Sequence, residues 1–146
     1  MAGYDHARAQ TMFEDLAIGM SDSITRTMTD ADICKFAEAT GDTNPIHLDE
    51  EFAKGSIFKT RIAHGMLTAA HISSVFATRL PGAGCIYVSQ SFTFKAPVRI
   101  GDAVTARVEV TSLVPQKKFV IFKTQCLVGT KIVVEGEAVM MVPSRA

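Results

Sequence analysis

Residues 65–80 (GMLTAAHISSVFATRL) constrain the fold more than any other part of the chain. The segment predicts a helix, and apolar or small side chains occur on nearly every face of it. A helix that is hydrophobic all round is a buried helix. Pro81 and Gly82 follow directly and end it sharply, because proline lacks a backbone donor and cannot continue the helix. The rest of the chain is therefore expected to surround one central helix.

The surrounding layer is predicted to be an antiparallel β-sheet. Alternating segments rich in β-branched residues predict one strand before the helix and four after it, at 21–28, 85–94, 104–113, 119–128 and 131–141. Three of the connections are short enough to join antiparallel neighbours. Two shorter helices are predicted at 30–40 and 49–54. The simplest packing is an α+β fold in which one antiparallel sheet wraps around the long central helix.

Composition narrows the class of protein. Of the 146 residues, 47% are hydrophobic and 21% charged, which is typical of one folded domain, predicted at 13–146 after a polar lead-in at 1–12. Lys+Arg and Asp+Glu both number 15, and this zero net charge argues against a nucleic-acid-binding protein. The sequence shows neither a membrane-span-length apolar run nor a secretory segment, and its cysteines lack C-x-x-C spacing. These features predict a cytoplasmic protein with reduced, at least partly buried thiols.

The segment 41–47 (GDTNPIH) contains the clearest candidates for catalytic residues. It places the carboxylate of Asp42 five residues before the imidazole of His47. Pro45 disfavours the α conformation in Asn44, so a rigid, irregular loop is predicted. A carboxylate and a histidine that lie close together can bind one water and move its proton. Asp42 and His47 are therefore the predicted acid–base pair.

A second segment, 63–67 (AHGML), begins the central helix at Gly65. The first N–H groups of a helix have no partners within the helix and lie at the positive end of its dipole. A glycine there lets a substrate oxygen approach the backbone without interference from a Cβ atom. The two segments together suggest an acid–base pair that faces an anion-stabilising helix start.

Four ordered motifs carry a family resemblance. They are G-D-x-N-P-x-H-x-D at 41–49, A-H-G-M-L at 63–67, L-P-G-x-G at 80–84 and F-x-x-P-V-x-x-G-D at 94–102. The first resembles the hydratase signature of the MaoC-like (R)-specific enoyl-CoA hydratases, and the second resembles the start of that family's central helix. The resemblance covers residues 14–143, which is essentially the whole domain.

The resemblance implies a single hot-dog fold, usually dimeric, and an enzyme that adds water to trans-2-enoyl-CoA thioesters. The product would be an (R)-3-hydroxyacyl-CoA, formed by reversible syn addition, with no metal or redox cofactor beyond the coenzyme A of the substrate. By position, Asp42 and His47 are the catalytic pair and Gly65 is the oxyanion donor. Ser73 aligns with a serine that positions substrate or catalytic residues, and Asn44 is grouped with the substrate-binding residues.

An acyl chain would need an apolar slot beside the central helix. The side chains expected to contribute to this slot are Met66, Ala69, Ala70, Ile72 and Phe76. A lone sheet around one helix leaves such a slot half enclosed and an edge strand unpaired. Pairing with a second copy would remedy both, so at least a homodimer is expected.

Structural interpretations compete with the catalytic ones. Asp42 and Asn44 favour turns through local backbone hydrogen bonds, and Ser73 can bond back to a helix carbonyl. His64 is expected to orient the loop or cap the helix start, and His71 to be a core or dimer-contact histidine. No two histidines have H-x-x-x-H or H-x-H spacing, so no zinc site is predicted.

Three rival functions also fit parts of the pattern. A dehydratase for thioesters of acyl carrier protein would use the same residues, with a basic patch at the tunnel mouth for its acidic partner. A hot-dog thioesterase would direct water at the thioester carbon and release free thiol. A non-catalytic acyl-CoA-binding module would not need both Asp42 and His47. Release of thiol, and the effect of Asp42→Asn on turnover and binding, discriminate among them.

Overall fold

The computed structural model describes residues 9–146. Its elements in chain order are a short 3₁₀ helix (Phe13–Asp15), β1 (Ser21–Thr27), α1 (Asp30–Thr40), α2 (Pro45–Leu48), α3 (Glu50–Lys54), α4 (Gly65–Thr78), β2 (Ile86–Gln90), β3 (Thr93–Phe94), β4 (Ala103–Val114), β5 (Phe119–Val128) and β6 (Lys131–Met141). Residues 1–8 of the predicted lead-in lie outside the described residues. Residues 9–12 bond to the turn after α4, where the Thr11 N–H donates to the Pro81 carbonyl at 2.7 Å.

All six strands belong to one antiparallel sheet in the order β1-β4-β5-β6-β2, with β3 also paired to β6. Four of the five predicted strands agree with the structure to within one residue at each end. The predicted α+β fold is confirmed. The central helix is also where the sequence placed it, although it ends at Thr78, two residues earlier than predicted.

The predicted strand 85–94 is instead two strands, β2 and β3, with Ser91 and Phe92 between them. At this step the backbone of Ser91 lies against Gly136 of β6, and a Cβ atom on Gly136 would overlap the Ser91 carbonyl oxygen. The Ser91 N–H donates to the Glu137 carbonyl at 2.9 Å. A glycine in β6 thus admits a close backbone approach, and the chain pairs with β6 on both sides of an irregular step.

The core lies between α4 and the concave face of the sheet. Ile72, Val75 and Phe76 of α4 are at most 1% exposed, and the Phe76 ring meets the Phe122 ring edge-on with centroids 4.9 Å apart. Alternate residues of β4 face the helix and are buried in the same way, namely Val104, Ala106, Val108 and Val110. Each fully buried large apolar side chain contributes about 1.5–3 kcal/mol relative to exposure, so this face fixes α4 on the sheet.

The opposite face of α4 is open in the single chain, contrary to the expectation of burial all round. Met66, Ala70, Ser73 and Ala77 are exposed, and Met66 retains 54% of its surface. Their spacing of four, three and four residues places them on one stripe of the helix. The sheet curves around one side of α4 and therefore leaves this stripe uncovered.

The three cysteines are free thiols that differ in environment. Cys126 is buried, Cys85 is half-buried and Cys34 is exposed on α1, so the expectation of burial was wrong for Cys34. Burial raises the pKa of Cys126 to about 12. Among the described residues, no helix combines the length and hydropathy that a membrane crossing requires.

Candidate active site

A cavity of about 570 Å³ opens where α2, the start of α4 and the segment 94–98 meet. The predicted pair Asp42 and His47 and the predicted oxyanion donor Gly65 all line it, together with His64. Its remaining walls are mainly apolar, formed by side chains that include Phe58, Ile62, Met66, Phe94 and Val98. A mostly apolar pocket with a few converging polar groups is the usual form of a small-molecule site.

The local sequence explains how Asp42 and His47 come together. Gly41 ends α1 in the left-handed conformation, with φ 77°. The Asn44 side chain then caps α2 by accepting the Ile46 N–H at 3.2 Å, and Pro45 occupies the first helical position. The predicted irregular loop through His47 is thus in part a helical turn. Proline suits this position because its φ is already helical and its missing N–H would have had no partner.

Asn44 lies outside the set of residues that line the cavity. It is exposed, and besides capping α2 its N–H donates to Oδ1 of Asp42 at 3.3 Å. Asn44 thereby fixes both the carboxylate of Asp42 and the start of the turn that carries His47. In this geometry Asn44 supports the pair, and its substrate-binding role stays a prediction.

His47 is 9% exposed, and its ring orientation is set by the backbone. Nδ1 lies 2.9 Å from the Ile62 carbonyl oxygen. Because a carbonyl only accepts, Nδ1 carries the proton, and Nε2 is the nitrogen that can accept one. Burial lowers the pKa of His47 below its ordinary value of 6.5, and the hydrogen bond to Ile62 and the nearby Asp42 charge oppose this effect only in part. His47 is therefore neutral at pH 7 and able to act as a base.

His64 supports the pair from behind. It is 1% exposed, its Nε2–H donates to the Asp42 carbonyl at 3.0 Å, and its ring stacks on His47 with centroids 3.9 Å apart. Phe36 covers another side of the ring, with centroids 4.7 Å apart. The expectation that His64 orients the loop agrees with this geometry. It stands at the N-cap of α4, but the described residues show no capping bond from its side chain.

Asp42, His47 and His64 bring three potential metal-ligand atoms within 4.8 Å of one another, although only the closeness of Asp42 and His47 was predicted from the sequence. The two imidazole planes are tilted by 31° to one another. Nδ1 of His47 and Nε2 of His64 each already bond a backbone carbonyl, so one nitrogen of each ring remains for a further partner.

Gly65 is exposed at the first position of α4, where its N–H has no intrahelical partner. A Cβ atom on Gly65 would lie 2.8 Å from Cδ1 of Phe94. The Phe94 ring therefore rests directly on the glycine, and both line the cavity. The absence of a side chain on Gly65 accommodates the Phe94 ring beside the helix start, where an exposed N–H group can meet an oxygen atom.

Ser73 lies away from Asp42 and His47, in a second cavity of about 280 Å³ between α4 and β2. This cavity is lined by Met66, Ala69, Ala70, Ser73, Tyr87, Gln90 and Phe92, and Met66 lines the first cavity as well. The neighbouring Ser74 bonds back to the His71 carbonyl at 3.2 Å, so Ser73 is the serine that faces a cavity. Of the side chains expected in the acyl slot, Ile72 and Phe76 are buried in the core instead.

The model of the MaoC-like domain family matches residues 17–136. The chain belongs to the MaoC-like family. It is 59% identical over 133 residues to an (R)-specific enoyl-CoA hydratase of Rhodospirillum rubrum, covering 91% of this chain and 92% of that protein. It is 48% identical to a 3-hydroxybutyryl-CoA dehydratase of Methylorubrum extorquens, and the match covers 91% of this chain and 85% of that protein. The structure of the unliganded R-hydratase of Pseudomonas aeruginosa superposes with a TM-score of 0.87 at 40% identity, over 92% of this chain and 86% of that one. This likeness confirms the hot-dog fold.

Sequence reasoning missed one residue at the edge of this MaoC-like site. The Nε–H of Arg61 donates to the His47 carbonyl at 2.7 Å, and its Nη2–H donates to Oδ1 of Asp30 at 2.6 Å. The partners lie 14 and 31 residues away in sequence, so local patterns give no signal for these contacts. Arg61 lies two residues before Ala63, the first residue of the A-H-G-M-L motif, and that proximity was the sole available hint.

Proposed function

We propose that this protein catalyses the reversible (R)-specific hydration of trans-2-enoyl-CoA to (R)-3-hydroxyacyl-CoA. The observation that carries the proposal is one cavity that holds the Asp42 carboxylate, the proton-accepting Nε2 side of His47 and the helix start at Gly65. The names of the MaoC-like relatives, a hydratase and a dehydratase of CoA thioesters, support it.

The reaction needs a proton to leave water as its oxygen bonds to C3 of the substrate, and a proton to reach C2 on the same face. Asp42 and His47 bind the water between them, and His47 exchanges protons through Nε2 because Nδ1–H is bonded to Ile62. Both protons pass through one pair on one side of the substrate, which accounts for syn addition. Only protons and one water move, so the mechanism requires no metal or redox cofactor.

The thioester oxygen gains enolate-like charge while water adds. The N–H of Gly65 lies at the positive end of α4 and meets this charge in the mostly apolar cavity. One such donor is typically worth about 10²–10³ in kcat. The acyl chain passes Met66 into the second cavity, where Ser73 and Tyr87 limit the space available to it.

The experiment that tests the proposal follows loss of the enoyl absorbance of crotonyl-CoA, with thiol release measured in parallel. Wild-type protein should consume substrate, release no thiol and yield the (R)-3-hydroxy product. Asp42→Asn should lower the rate about 10²–10⁴-fold, which is the usual contribution of acid–base catalysis. Asp22→Asn is a matched control, because Asp22 lies on β1 and its side chain accepts only the N–H of its neighbour Ser23 among the described residues.

Other outcomes favour the rival functions. Thiol release would indicate a thioesterase, and turnover of a thioester on acyl carrier protein but not on CoA would indicate the carrier-dependent dehydratase. Equal crotonyl-CoA binding by wild type and Asp42→Asn, without turnover in either, would indicate a binding module. Each result would replace the hydratase proposal.

We also propose that the protein works as a cytoplasmic homodimer. The exposed stripe on α4 borders the second cavity, and the edge strand β2 exposes Ile86, Tyr87 and Val88, each by at least 39%. Pairing of two β2 edges would cover these apolar side chains and close the cavity. Sedimentation should give twice the 15.8 kDa chain mass, and Val88→Lys should shift the protein toward monomer. A monomeric wild type would contradict this.

A further inference from the structure

Arg61 connects three elements around the candidate dyad. Its side chain is only 16% exposed, and its guanidinium bonds to the backbone carbonyl of His47 and to the carboxylate of Asp30, the first residue of α1. Its own N–H donates to Oε2 of Glu50 in α3 at 3.3 Å, and Thr60 donates to the same carboxylate at 2.8 Å. The guanidinium therefore joins α1 to α2, while α3 holds the backbone of Arg61.

The carbonyl that Arg61 binds belongs to a weak element. α2 has only four residues, and a single helical turn does not persist by its own hydrogen bonds. The carbonyls in the last turn of a helix lack intrahelical partners, and His47 lies in that turn. External contacts must therefore fix the backbone of His47, and Arg61 makes a short one of 2.7 Å.

Two neighbouring residues position the two ends of His47. Arg61 binds its backbone carbonyl, while the Ile62 carbonyl accepts its ring Nδ1–H at 2.9 Å. Because both its backbone carbonyl and its ring Nδ1–H are hydrogen-bonded, His47 presents Nε2 in a single position. Loss of the Arg61 bond would free the backbone end and let Nε2 move relative to Asp42.

We propose that Arg61 is a positioning residue for the hydration reaction. It fixes the backbone of His47 so that Nε2 keeps its position relative to Asp42 and the bound water. The inference rests on the proposed function. Arg61 is not among the residues that line the cavity, and it acts through His47. Asp30 assists by binding the other branch of the guanidinium, and this partner lowers the pKa of Asp30.

The fork of the guanidinium suits this role better than a lysine would. Arginine directs several N–H groups along fixed directions in one plane, whereas a lysine ammonium is a point charge on a flexible stem. Nε and Nη2 of Arg61 use two of these directions for different elements. A lysine can therefore replace the charge but not both bonds at once.

The test measures kcat and KM for crotonyl-CoA together with thermal melting. A displacement of about 1 Å in a reacting group can cost about 10²-fold, so Arg61→Gln should lower kcat by about that factor with little change in KM. Arg61→Lys should recover part of the loss. Asp30→Asn should cost less than Arg61→Gln, because the bond from Arg61 to His47 remains.

Arg145→Gln is the matched control. Arg145 pairs with Asp15 through Nη1 and Nη2 at 2.7 and 2.8 Å, on a surface formed by the two ends of the domain. This variant also removes an arginine from an Arg–Asp pair, and it should leave kcat unchanged. A second control adds Arg61→Gln to Asp42→Asn: once the dyad is disabled, the Arg61 change should lower the residual rate no further.

The outcomes separate this inference from the proposed function. If the wild type does not hydrate crotonyl-CoA or octenoyl-CoA, the proposed function fails and the inference fails with it. If the wild type is active and folded Arg61→Gln keeps kcat within about twofold, the inference alone is wrong. The inference is also wrong if the activity of Arg61→Gln, Arg61→Lys and Asp30→Asn falls only in proportion to the amount of folded protein. It is likewise wrong if Arg61→Gln lowers the rate of the Asp42→Asn enzyme as much as it lowers the rate of wild type.

Discussion

Replacing Gly65 with alanine would separate the catalytic contribution of this position from its contribution to stability. The new Cβ atom would lie 2.8 and 2.9 Å from Cδ1 and Cε1 of the Phe94 ring, which is too close for either group to remain in place. Phe94 is 51% exposed and belongs to a strand of two residues, so its ring can turn toward solvent. Overpacking costs about 1–3 kcal/mol where neighbours cannot move, and this neighbour can.

The expected change in stability is therefore small. Alanine gains up to about 0.5–1 kcal/mol over glycine within a helix, which offsets part of the steric cost. We expect a net change of at most about 1 kcal/mol, or about 4 °C in Tm for a domain of this size. The variant should remain folded at the temperature of the assay.

The expected change in rate is large. Alanine keeps the N–H, so the loss is steric: a thioester oxygen must come to about 2.7–3.1 Å from that N–H, past the added methyl group and the shifted Phe94 ring. The loss of one oxyanion donor lowers kcat by about 10²–10³, or about 2.7–4 kcal/mol of transition-state stabilisation. A stability change near 1 kcal/mol cannot account for such a loss in a folded enzyme.

The assay compares crotonyl-CoA hydration and thermal melts for wild type, Gly65→Ala and the double variant Gly65→Ala/Phe94→Ala. The double variant shows whether the methyl group or the displaced ring is responsible, because removal of the ring restores activity only in the second case. A folded Gly65→Ala enzyme with kcat within about threefold of wild type would refute the oxyanion role of Gly65.

Three further predictions concern pH, packing and substrate length. Burial lowers the pKa of His47 below 6.5, and only the neutral ring accepts a proton. The value of kcat/KM should therefore fall as the pH drops through a value below 6.5. A fall in kcat/KM that is centred above pH 6.5 would contradict this. Gly136→Ala should lower the free energy of unfolding in urea by about 1–3 kcal/mol, since its Cβ would overlap the rigid Ser91 backbone. The matched Gly55→Ala, whose Cβ would meet its nearest atom at 3.6 Å, should change that free energy by less than about 0.5 kcal/mol. Ser73→Leu should fill the second cavity and lower kcat/KM for octenoyl-CoA about tenfold more than for crotonyl-CoA; equal effects would place the acyl chain elsewhere.

The elements that sequence reasoning predicted well are those with local signals. The capping box of Thr29 and Asp32 and the left-handed Gly41 bound α1 at the predicted residues. The long strands β5 and β6 have the predicted bounds because alternation and the turn at Gly129 are both visible in the sequence. Asp42, His47 and Gly65 meet in one cavity, as the two motifs suggested.

The features that escaped prediction depend on contacts between distant residues. The step between β2 and β3 follows from the backbone of Ser91 lying on Gly136, 45 positions later in the chain. The support of Asp42 by His64 and of His47 by Arg61 crosses 22 and 14 residues. The helical turn at 45–48 was missed for a different reason: proline disfavours helix in the residue before it, yet is favoured as the first residue of a helix.

Met66 stands at the meeting point of the two cavities, and this has a consequence for how such an enzyme can diversify. Residues 42–65 supply the chemical groups, whereas the cavity beyond Met66 is built from the outer stripe of α4 and from β2 and the residues that follow it. Substitutions in the second group can alter the length of acyl chain accepted while leaving the proton-transfer geometry intact. Substrate range and turnover can thus be selected, or engineered, almost independently within a single small domain.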